Sequence, residues 1–428
     1  MSTQTTQTGA AAQKTGLAFA YVTTLFFAWG FVTSLIDPLF AAVKKVFDLT
    51  YTEAFLTTSA WFIAYGVVSI PAAWVLSKLG YSRAIIAALA VAVLGTLIVP
   101  AATLIDSYEF ILLGLFVIAS GVTLLQVAAN PLVAALGPQK TSHFRLNFSQ
   151  AFNSLGTTVG PILGSQVLLT GGVFAAGAVV TAATRDESLR AIDFAFLGVG
   201  AFFAGLAFFI WTARKKIDAS VARDDAGVAN PLAALKSGWA IFGAVAIFLY
   251  VGSEVAIGAM LTNFLANELN LPLEEAGKMV AFYWGGAMVG RFIGSVLLRF
   301  VRPGLLLALC TLAAAVLCGV VTQTDGRTAA YAALSIGLFN SIMFPTIFTL
   351  TLERSGAPAP ATSGLLCFAI IGGAFLPPLA GWVADQAGSL NPSFVVPLAG
   401  YVGLTLFALA AARKAPREDV EVAPIAGH

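Results

Sequence analysis

The fold is decided by stretches such as residues 84–104, AIIAALAVAVLGTLIVPAATL, an uncharged run long enough to cross a bilayer as a helix. The rest of the 428-residue chain has the same character, because 58% of its residues are hydrophobic and only 10% carry a charge. Soluble domains carry a charge on about a quarter of their residues. The sequence therefore predicts an integral membrane protein.

Outward from this run, the chain contains twelve apolar stretches bounded by charges or turn residues. We number them as spans one to twelve, and they lie at 17–43, 54–77, 84–104, 108–136, 146–169, 190–213, 237–266, 275–298, 304–322, 328–352, 361–386 and 393–412. The longest polar segment separates span six from span seven. We therefore predict an all-α membrane protein with twelve transmembrane helices in two pseudo-symmetric six-helix bundles.

The two predicted bundles occupy residues 17–213 and 237–412, and a polar linker at 214–236 joins them. Thr, Gln and Ala dominate residues 1–16, which are predicted to be disordered, and a short tail follows at 413–428. Cytoplasmic loops carry the excess of Lys and Arg. Of the 23 basic residues, 16 fall on the side that holds both termini and the linker. We therefore expect both termini to be cytoplasmic, in a plasma (inner) membrane.

Charge and composition exclude several functions. A net charge of +2 creates no long-range field for nucleic acid. The two histidines, His143 and His428, are too few for a metal cluster, and neither lies in the core of a span, so no Ser/His/Asp arrangement is indicated. The chain also has no phosphate-binding loop. We expect no enzyme activity, no cofactor or metal and no obligate protein partner, so the chain is expected to work as a monomer in the lipid bilayer.

Two short patterns recur six spans apart and indicate an internal repeat. The spacing Gly-x4-Pro-x2-Gly begins in span five at Gly156 and in span eleven at Gly373. An amide precedes a proline by five residues in span four, at Gln126, and in span ten, at Asn340. Halves related as parallel copies are typical of transporters that rock around a central site. The repeat therefore favours a transporter over a channel or a membrane enzyme.

Several motifs resemble those of one transporter family. They are Trp29-Gly30 and Asp37-Pro38 in span one, AANP at 128–131, HFRLN at 143–147, QAFNS at 150–154, PTIF at 345–348 and IIGG at 370–373. Together they resemble the L-fucose:proton symporter family of the major facilitator superfamily. Span seven, with YVGSEVAIG at 250–258, is similar to the branch that carries glucose, galactose and related hexoses. The resemblance implies symport of a monosaccharide with a cation, with a proton as the first choice.

Alternatives to a hexose:proton symporter remain open at this point. They are a sodium-coupled sugar symporter, an L-fucose symporter and, more remotely, an efflux antiporter of the same fold. An antiporter for amphiphiles needs a more apolar cavity, so the amides of spans four and five argue against it. A membrane enzyme or nutrient sensor is a further class, but the chain has no large soluble domain to support it.

Two acids lie inside apolar spans, where a charge costs at least about 2.5–3.5 kcal/mol, so retained acids usually face a cavity and mark an ion path. Asp37 of span one matches the proposed protonation site of the family; the alternative is a carboxylate near a helix end that reaches the outside water. Glu254 lies near mid-depth in span seven. It is a candidate for cation coupling or for accepting a sugar hydroxyl, and the alternative is an acid that serves helix packing.

Span four departs from the family at Gln126, where the fucose carrier has a glutamate that is implicated in proton-coupled sugar binding. Glutamine offers a donor and an acceptor, but it cannot titrate. Three explanations follow. Asp37 alone carries the proton, or Glu254 takes over part of the role, or the coupled ion is sodium.

A sugar site needs uncharged amides or hydroxyls together with an aromatic face. Gln126 and Asn130 share one face of span four, and Gln150 and Asn153 share one face of span five. Asn340 is the repeat-related partner of Gln126. Candidate stacking rings are Phe27, Trp29, Tyr283 and Trp284. The alternatives are hydrogen bonds between helices for the amides and simple packing for the rings.

Three arginines are candidates for gating contacts. Arg83 ends the turn KLGYSR at 78–83, which resembles a degenerate form of the conserved loop of the superfamily. Arg291 and Arg299 occupy the equivalent region of span eight. Ordinary positive-inside topology explains the same residues equally well.

Overall fold

The structure, a computed structural model, describes residues 2–35, 39, 42–43, 45–49, 51–169, 171–174, 179–220 and 230–416, with side chains from residue 16 onward except at 51–59, 165 and 273–274. These residues form α-helices joined by turns and short 3-10 segments. No β-strand occurs among them. The predicted all-α class is confirmed.

Six long helices make up the described part of the first half of the chain. They are α1 Ser2–Ser34, α2 Tyr51–Leu79, α3 Tyr81–Leu104, α4 Tyr108–Ala135, α5 Ser142–Leu168 and α6 Ala182–Asp218. Side chains cap the beginnings of two of them and satisfy free backbone N–H groups. Ser107 accepts from the backbone of Phe110 at α4, and Thr181 forms a capping box with Thr184 at α6.

The described part of the second half contains eight helices, because two of its predicted spans are interrupted. The helices are α7 Gly238–Leu269, α8 Leu273–Leu297, α9 Pro303–Gln323, α10 Gly326–Asn340, α11 Met343–Leu352, α12 Ala359–Phe368, α13 Gly372–Ala387 and α14 Val395–Arg413. Span ten consists of α10 and α11, with a break at Ser341 and Ile342. Span eleven consists of α12 and α13, which a 3-10 turn at Ala369–Ile371 joins.

The break in span ten follows from Pro345. A proline has no backbone N–H, so it leaves the carbonyl four residues earlier without its helical donor. That carbonyl belongs to Ser341, which lies in the break. The corresponding residue of span four, Pro131, lies inside the unbroken helix α4. The two halves therefore differ at this point of the repeat.

Among the described residues, eleven helical segments are long and apolar enough to cross a membrane. Each interrupted span counts as one of these segments, at Gly326–Leu352 and Ala359–Ala387. Helix α5 is not among them, because polar residues such as Gln150 and Asn153 lower its mean hydropathy. With α5 as the fifth, the segments correspond one to one to the twelve predicted spans.

The chain divides into two compact units. The first unit comprises Met1–Leu136 and Phe152–Val228, and the second comprises Gly137–Ala151 and Ala229–His428. The division after Val228 falls within the predicted linker. The segment Gly137–Ala151, which the sequence analysis placed in the bundle at 17–213, belongs instead to the second unit. The reason lies in its contacts, since His143 bonds to Thr349 of α11 within that unit.

The N-terminus also differs from the sequence-based expectation, which was disorder over residues 1–16. Helix α1 begins at Ser2 and runs without interruption into span one. Residues 4–13 contain three alanines and three glutamines, which are good helix formers. The polar composition alone gave no indication of this helix.

One pair of helices in each unit packs through glycine. A Cβ added at Gly156 of α5 would lie 2.3 Å from the carbonyl oxygen of Phe27 in α1. In the second unit, a Cβ added at Gly372 of α13 would lie 2.2 Å from the carbonyl oxygen of Phe248 in α7. Small residues allow helix backbones to approach this closely in membranes. Spans one and five thus pack as spans seven and eleven do, in agreement with the predicted repeat.

Candidate functional site

In the first unit, the candidate ligand Gln126 lies inside α4 and donates through Nε2 to the hydroxyl of Tyr65 in α2. Its residue surface is 7% exposed, whereas Asn130, one turn later, is 0% exposed. The structure therefore leaves Gln126 the more accessible of the two amides, and both stay predicted sugar contacts.

The same amide–tyrosine pair recurs in the second unit. Asn340, at the end of α10, donates through Nδ2 to the hydroxyl of Tyr283 in α8 at 2.7 Å. Tyr65 lies fourteen residues before Leu79, the end of α2, and Tyr283 lies fourteen residues before Leu297, the end of α8. Both members of the pair are thus six spans apart, which strengthens the repeat that the sequence indicated.

Asn340 itself has a structural role in this unit, and its contact with sugar stays a prediction. Its Oδ1 accepts from the hydroxyl of Tyr401 in α14 at 2.7 Å, while its Nδ2 donates to Tyr283. The residue is 0% exposed. Both polar atoms of the side chain are therefore engaged, and they tie α8, α10 and α14 together.

Asn153 holds α1 and α5 together, and Trp29 packs within α1. Asn153 donates through Nδ2 to the carbonyl oxygen of Phe26 at 3.1 Å, and a Cβ added at Gly30 would collide with the Asn153 backbone. Trp29 is buried, and its ring centroid lies 4.1 Å from that of Phe26. For both residues the structure favours packing over sugar contact. Asn153 nevertheless keeps partial exposure.

Gln150 and Trp284 lie in the second unit. Gln150 is buried, and its main-chain oxygen lies 3.5 Å from Nη1 of Arg291. Trp284 of α8 is 44% exposed and stands edge-on to Tyr283, with the ring centroids 5.1 Å apart. Trp284 is therefore the most exposed of the candidate stacking rings, whereas Phe27 is partly buried and Tyr283 is fully buried.

Glu254 lies in the middle of α7 and is partly buried. The charge of Arg291 and the hydroxyl of Tyr250, one turn earlier, act on its carboxylate, while that hydroxyl donates to the carbonyl oxygen of Asn340 at 3.3 Å. The oxygen Oε1 is buried and has no hydrogen-bond partner among the residues that the structure describes. A buried polar atom without a partner is costly, so it points to a proton or a ligand that binds there.

The three predicted gating arginines have different surroundings. Arg83 is exposed in the first turn of α3. Arg299 is also exposed, and its guanidinium carbon lies 3.8 Å from the ring centroid of Phe144. Arg291 lies inside α8, and its Nε donates to the carbonyl oxygen of Ser341 at 2.9 Å. The structure thus brings Arg299 to the segment Gly137–Ala151 and Arg291 to the break in span ten.

A buried ionic cluster at the beginning of α5 and the end of α11 was missed from the sequence. His143 Nε2 lies 3.1 Å from Oε1 of Glu353, Ser142 donates to the same oxygen at 2.8 Å, and Arg354 Nη1 lies 3.3 Å from Oε2. Burial alone would raise the pKa of Glu353. The charge of His143, the hydrogen bonds from His143 and Ser142 and the charge of Arg354 outweigh burial, and they hold this pKa below its usual value near 4.5.

Two signals in the sequence could have revealed this cluster. The motif HFRLN begins at His143, and Glu353 directly follows span ten, where an acid next to an arginine needs a partner if it is buried. The other acid predicted for coupling, Asp37, lies outside the described residues, so its role stays a prediction.

Comparison with known proteins identifies the family. The family model of the Major Facilitator Superfamily matches residues 22–366. The chain belongs to this superfamily. This Major Facilitator Superfamily protein is 41% identical over 401 residues to the glucose/galactose transporter of Brucella abortus biovar 1 (strain 9-941), with 92% of this chain and 94% of that protein covered.

A further relative and a solved structure are similar over nearly the whole length. The chain is 30% identical over 410 residues to the L-fucose-proton symporter of Escherichia coli (strain K12), with 92% of each protein covered. Among solved structures, the Major Facilitator Superfamily transporter FucP in the outward conformation matches with a TM-score of 0.84 and 27% identity, over 94% of this chain and 100% of that one. These matches confirm the family resemblance and the predicted membrane-transporter fold.

Proposed function

We propose that the protein is a hexose:proton symporter, a secondary active transporter that carries glucose, galactose, mannose or a related monosaccharide by alternating access. The observation that carries this proposal is the 41% identity over 92% of the chain to a protein named as a glucose/galactose transporter. The site chemistry agrees with it, since apolar spans retain amides at Gln126 and Gln150 and a carboxylate at Glu254. Such neutral amides suit sugar hydroxyls, which need donors and acceptors together.

Gln126 is the first residue that we assign to the sugar. Gln150 and Trp284 are further assignments, the first as a hydrogen-bonding amide and the second as a ring with an accessible face. Asn153 has one amide atom committed to helix packing and is the weaker candidate. Each assigned sugar contact can be tested by its own substitution, because these side chains have different partners within their units.

The surroundings of Glu254 suit a proton better than a sodium ion. A sodium ion needs several oxygen acceptors, whereas the groups that act on Glu254 are the hydroxyl of Tyr250 and the positive charge of Arg291. A bound sodium ion would remain a cation beside this guanidinium and be repelled by it, whereas a proton becomes part of a neutral carboxyl group. Protonation of one carboxylate oxygen needs no further ligand. We assign Glu254 to coupling for this reason, and Asp37 because it is the acid of span one and matches the proposed protonation site of the resembling family.

The deciding experiment is uptake into proteoliposomes across a panel of glucose, galactose, mannose and L-fucose, with pH and sodium gradients imposed independently. A hexose should accumulate when the inside is alkaline and should not accumulate when only a sodium gradient is present. Accumulation of L-fucose alone would identify an L-fucose symporter. Accumulation that requires sodium would overturn the assignment of the proton.

In the cell we place the protein in the plasma (inner) membrane, with both termini cytoplasmic and with no cofactor or obligate partner. The excess of basic residues on the side of the termini supports this orientation. A reporter that fluoresces only in the cytoplasm, fused after His428, should be bright. A reporter that is active only outside the membrane should be silent at the same position, and the reverse result would invert the topology.

A further inference from the structure

Arg291 of α8 replaces a missing backbone donor at the break in span ten. Pro345 cannot donate to the carbonyl of Ser341, and Nε of Arg291 donates to that carbonyl at 2.9 Å instead. A buried carbonyl without a partner would destabilise the break. The guanidinium therefore stabilises the interrupted helix of span ten.

The same guanidinium lies against the beginning of α5. Its Nη1 is 3.5 Å from the main-chain oxygen of Gln150, at the long limit of a hydrogen bond. The neighbouring ring of Phe292 in α8 meets that of Phe148 edge-on, with 6.3 Å between centroids. Arg291 thus contacts two backbone segments, the break in span ten and the segment Gly137–Ala151.

Glu254 interacts with this guanidinium through its charge. Its Oε1 is buried without a hydrogen-bond partner among the described residues, and the groups that act on its carboxylate are the charge of Arg291 and the hydroxyl of Tyr250. The charge of Glu254 also acts on the buried hydroxyl of Tyr283. An ionised carboxylate attracts Arg291, whereas a protonated one leaves Arg291 to the carbonyls of Ser341 and Gln150.

We propose that Arg291 is a positioning residue that transmits the protonation of Glu254 to the break in span ten and to the segment Gly137–Ala151. This inference rests on the proposed proton-coupled transport and names the pair of residues that couples it. The arrangement seen here, with Arg291 on the carbonyl of Ser341, corresponds to neutral Glu254. Loss of the proton moves the guanidinium toward the carboxylate and weakens its hold on both backbone segments, which biases the equilibrium between two conformations.

The test uses the full-length protein in proteoliposomes with labelled D-glucose and D-galactose. Sugar exchange without a gradient is measured beside the proton uptake that accompanies sugar entry. The variants are Glu254→Gln, Arg291→Gln, Arg291→Lys and the double variant Glu254→Gln/Arg291→Gln. Arg327→Gln is the matched control, since Arg327 is an exposed arginine of the same unit. Monodisperse elution in detergent establishes that each variant folds.

Glu254→Gln should exchange sugar without moving protons. Arg291→Gln leaves a buried carboxylate without its counter-charge, so its exchange should fall about tenfold, and the double variant should recover to within about threefold of Glu254→Gln. Arg291→Lys keeps the charge and should retain proton movement, and Arg327→Gln should match the wild type. These results together would support the inference.

Two results would overturn it. Equal impairment of Arg291→Gln and the double variant would mean that Arg291 only stabilises the carbonyl of Ser341. Proton movement that persists in Glu254→Gln would place coupling elsewhere. Absence of sugar exchange in the wild type would instead overturn the proposed function, so the two failures are distinguishable.

Discussion

Gln126 and Asn340 occupy repeat-related positions, yet their surroundings give them different roles. Each donates to a tyrosine, but Asn340 also accepts from Tyr401 and is 0% exposed. Residue type and spacing alone could not separate them, because both are amides that precede a proline by five residues. The difference arises from helix α14, which is remote in sequence.

Replacement of Gln126 by Ala should weaken sugar binding by about 1–3 kcal/mol, because hydroxyls of the bound sugar would lose their partner. Tyr65 provides the matched control, since Tyr65→Phe removes its hydrogen bond with Gln126 but leaves the Gln126 amide in place. We expect a smaller effect from Tyr65→Phe. Calorimetric titration with the preferred hexose measures both variants, and unchanged affinity in Gln126→Ala would remove this residue from the site.

Glu353 gives a prediction for pH dependence. Its pKa in the folded protein lies below the usual value near 4.5, so its ionised form stabilises the fold at pH values above 4.5. This contribution is lost as the pH falls through the lower folded-state pKa. Glu353→Gln should therefore cost about 1–3 kcal/mol at neutral pH, and the difference from the wild type should vanish in strong acid.

Thermal unfolding in detergent between acid and neutral pH measures this difference. The exposed acid Glu275 supplies the control, and Glu275→Gln should unfold as the wild type does at every pH. A Glu353→Gln variant that is as stable as the wild type at neutral pH would contradict the ionic cluster around His143.

The helices of each unit are held at fixed distances by glycine contacts. At Gly156, an added Cβ would lie 2.3 Å from the carbonyl oxygen of Phe27, whereas at Gly205 of α6 it would meet nothing within 4 Å. Gly156→Ala should therefore separate α1 from α5 and destabilise the protein by about 1–3 kcal/mol. Gly205→Ala should be neutral or slightly stabilising, because alanine favours helix. Equal unfolding temperatures for the two variants would contradict this contact.

Helix number and type were accessible from the sequence because an apolar run of bilayer length has few alternatives. The interruption of span ten was not predicted, although Pro345 was visible, since Pro131 in the repeat-related position leaves α4 continuous. The cluster of His143 and Glu353 joins residues far apart in the chain, and no periodicity reports such a pairing. Local sequence patterns therefore predict the helices. Packing between segments that are distant in sequence determines where a helix breaks and which polar groups meet.

Coupling between the ion and the sugar is a property of the whole molecule. An ion gradient can drive accumulation of sugar only if binding of the ion changes the preference between conformations. Asp37→Asn should therefore abolish accumulation of sugar against its gradient while sugar exchange remains measurable. A neutral side chain cannot alternate between two charge states, although it can still hydrogen-bond. Parallel assays of accumulation and exchange in proteoliposomes measure both, and accumulation that survives in Asp37→Asn would exclude this residue from coupling.

The amide–tyrosine pair, at the same distance from the helix end in both units, also has an evolutionary consequence. A gene for six helices that was copied and fused end to end would carry such a pair in each copy. The two copies now differ, since the first has a glutamine and the second has an asparagine with Tyr401 as a second partner. Under the proposed function, the first amide is constrained by the sugar that it binds, and the second is constrained by the helices that it joins.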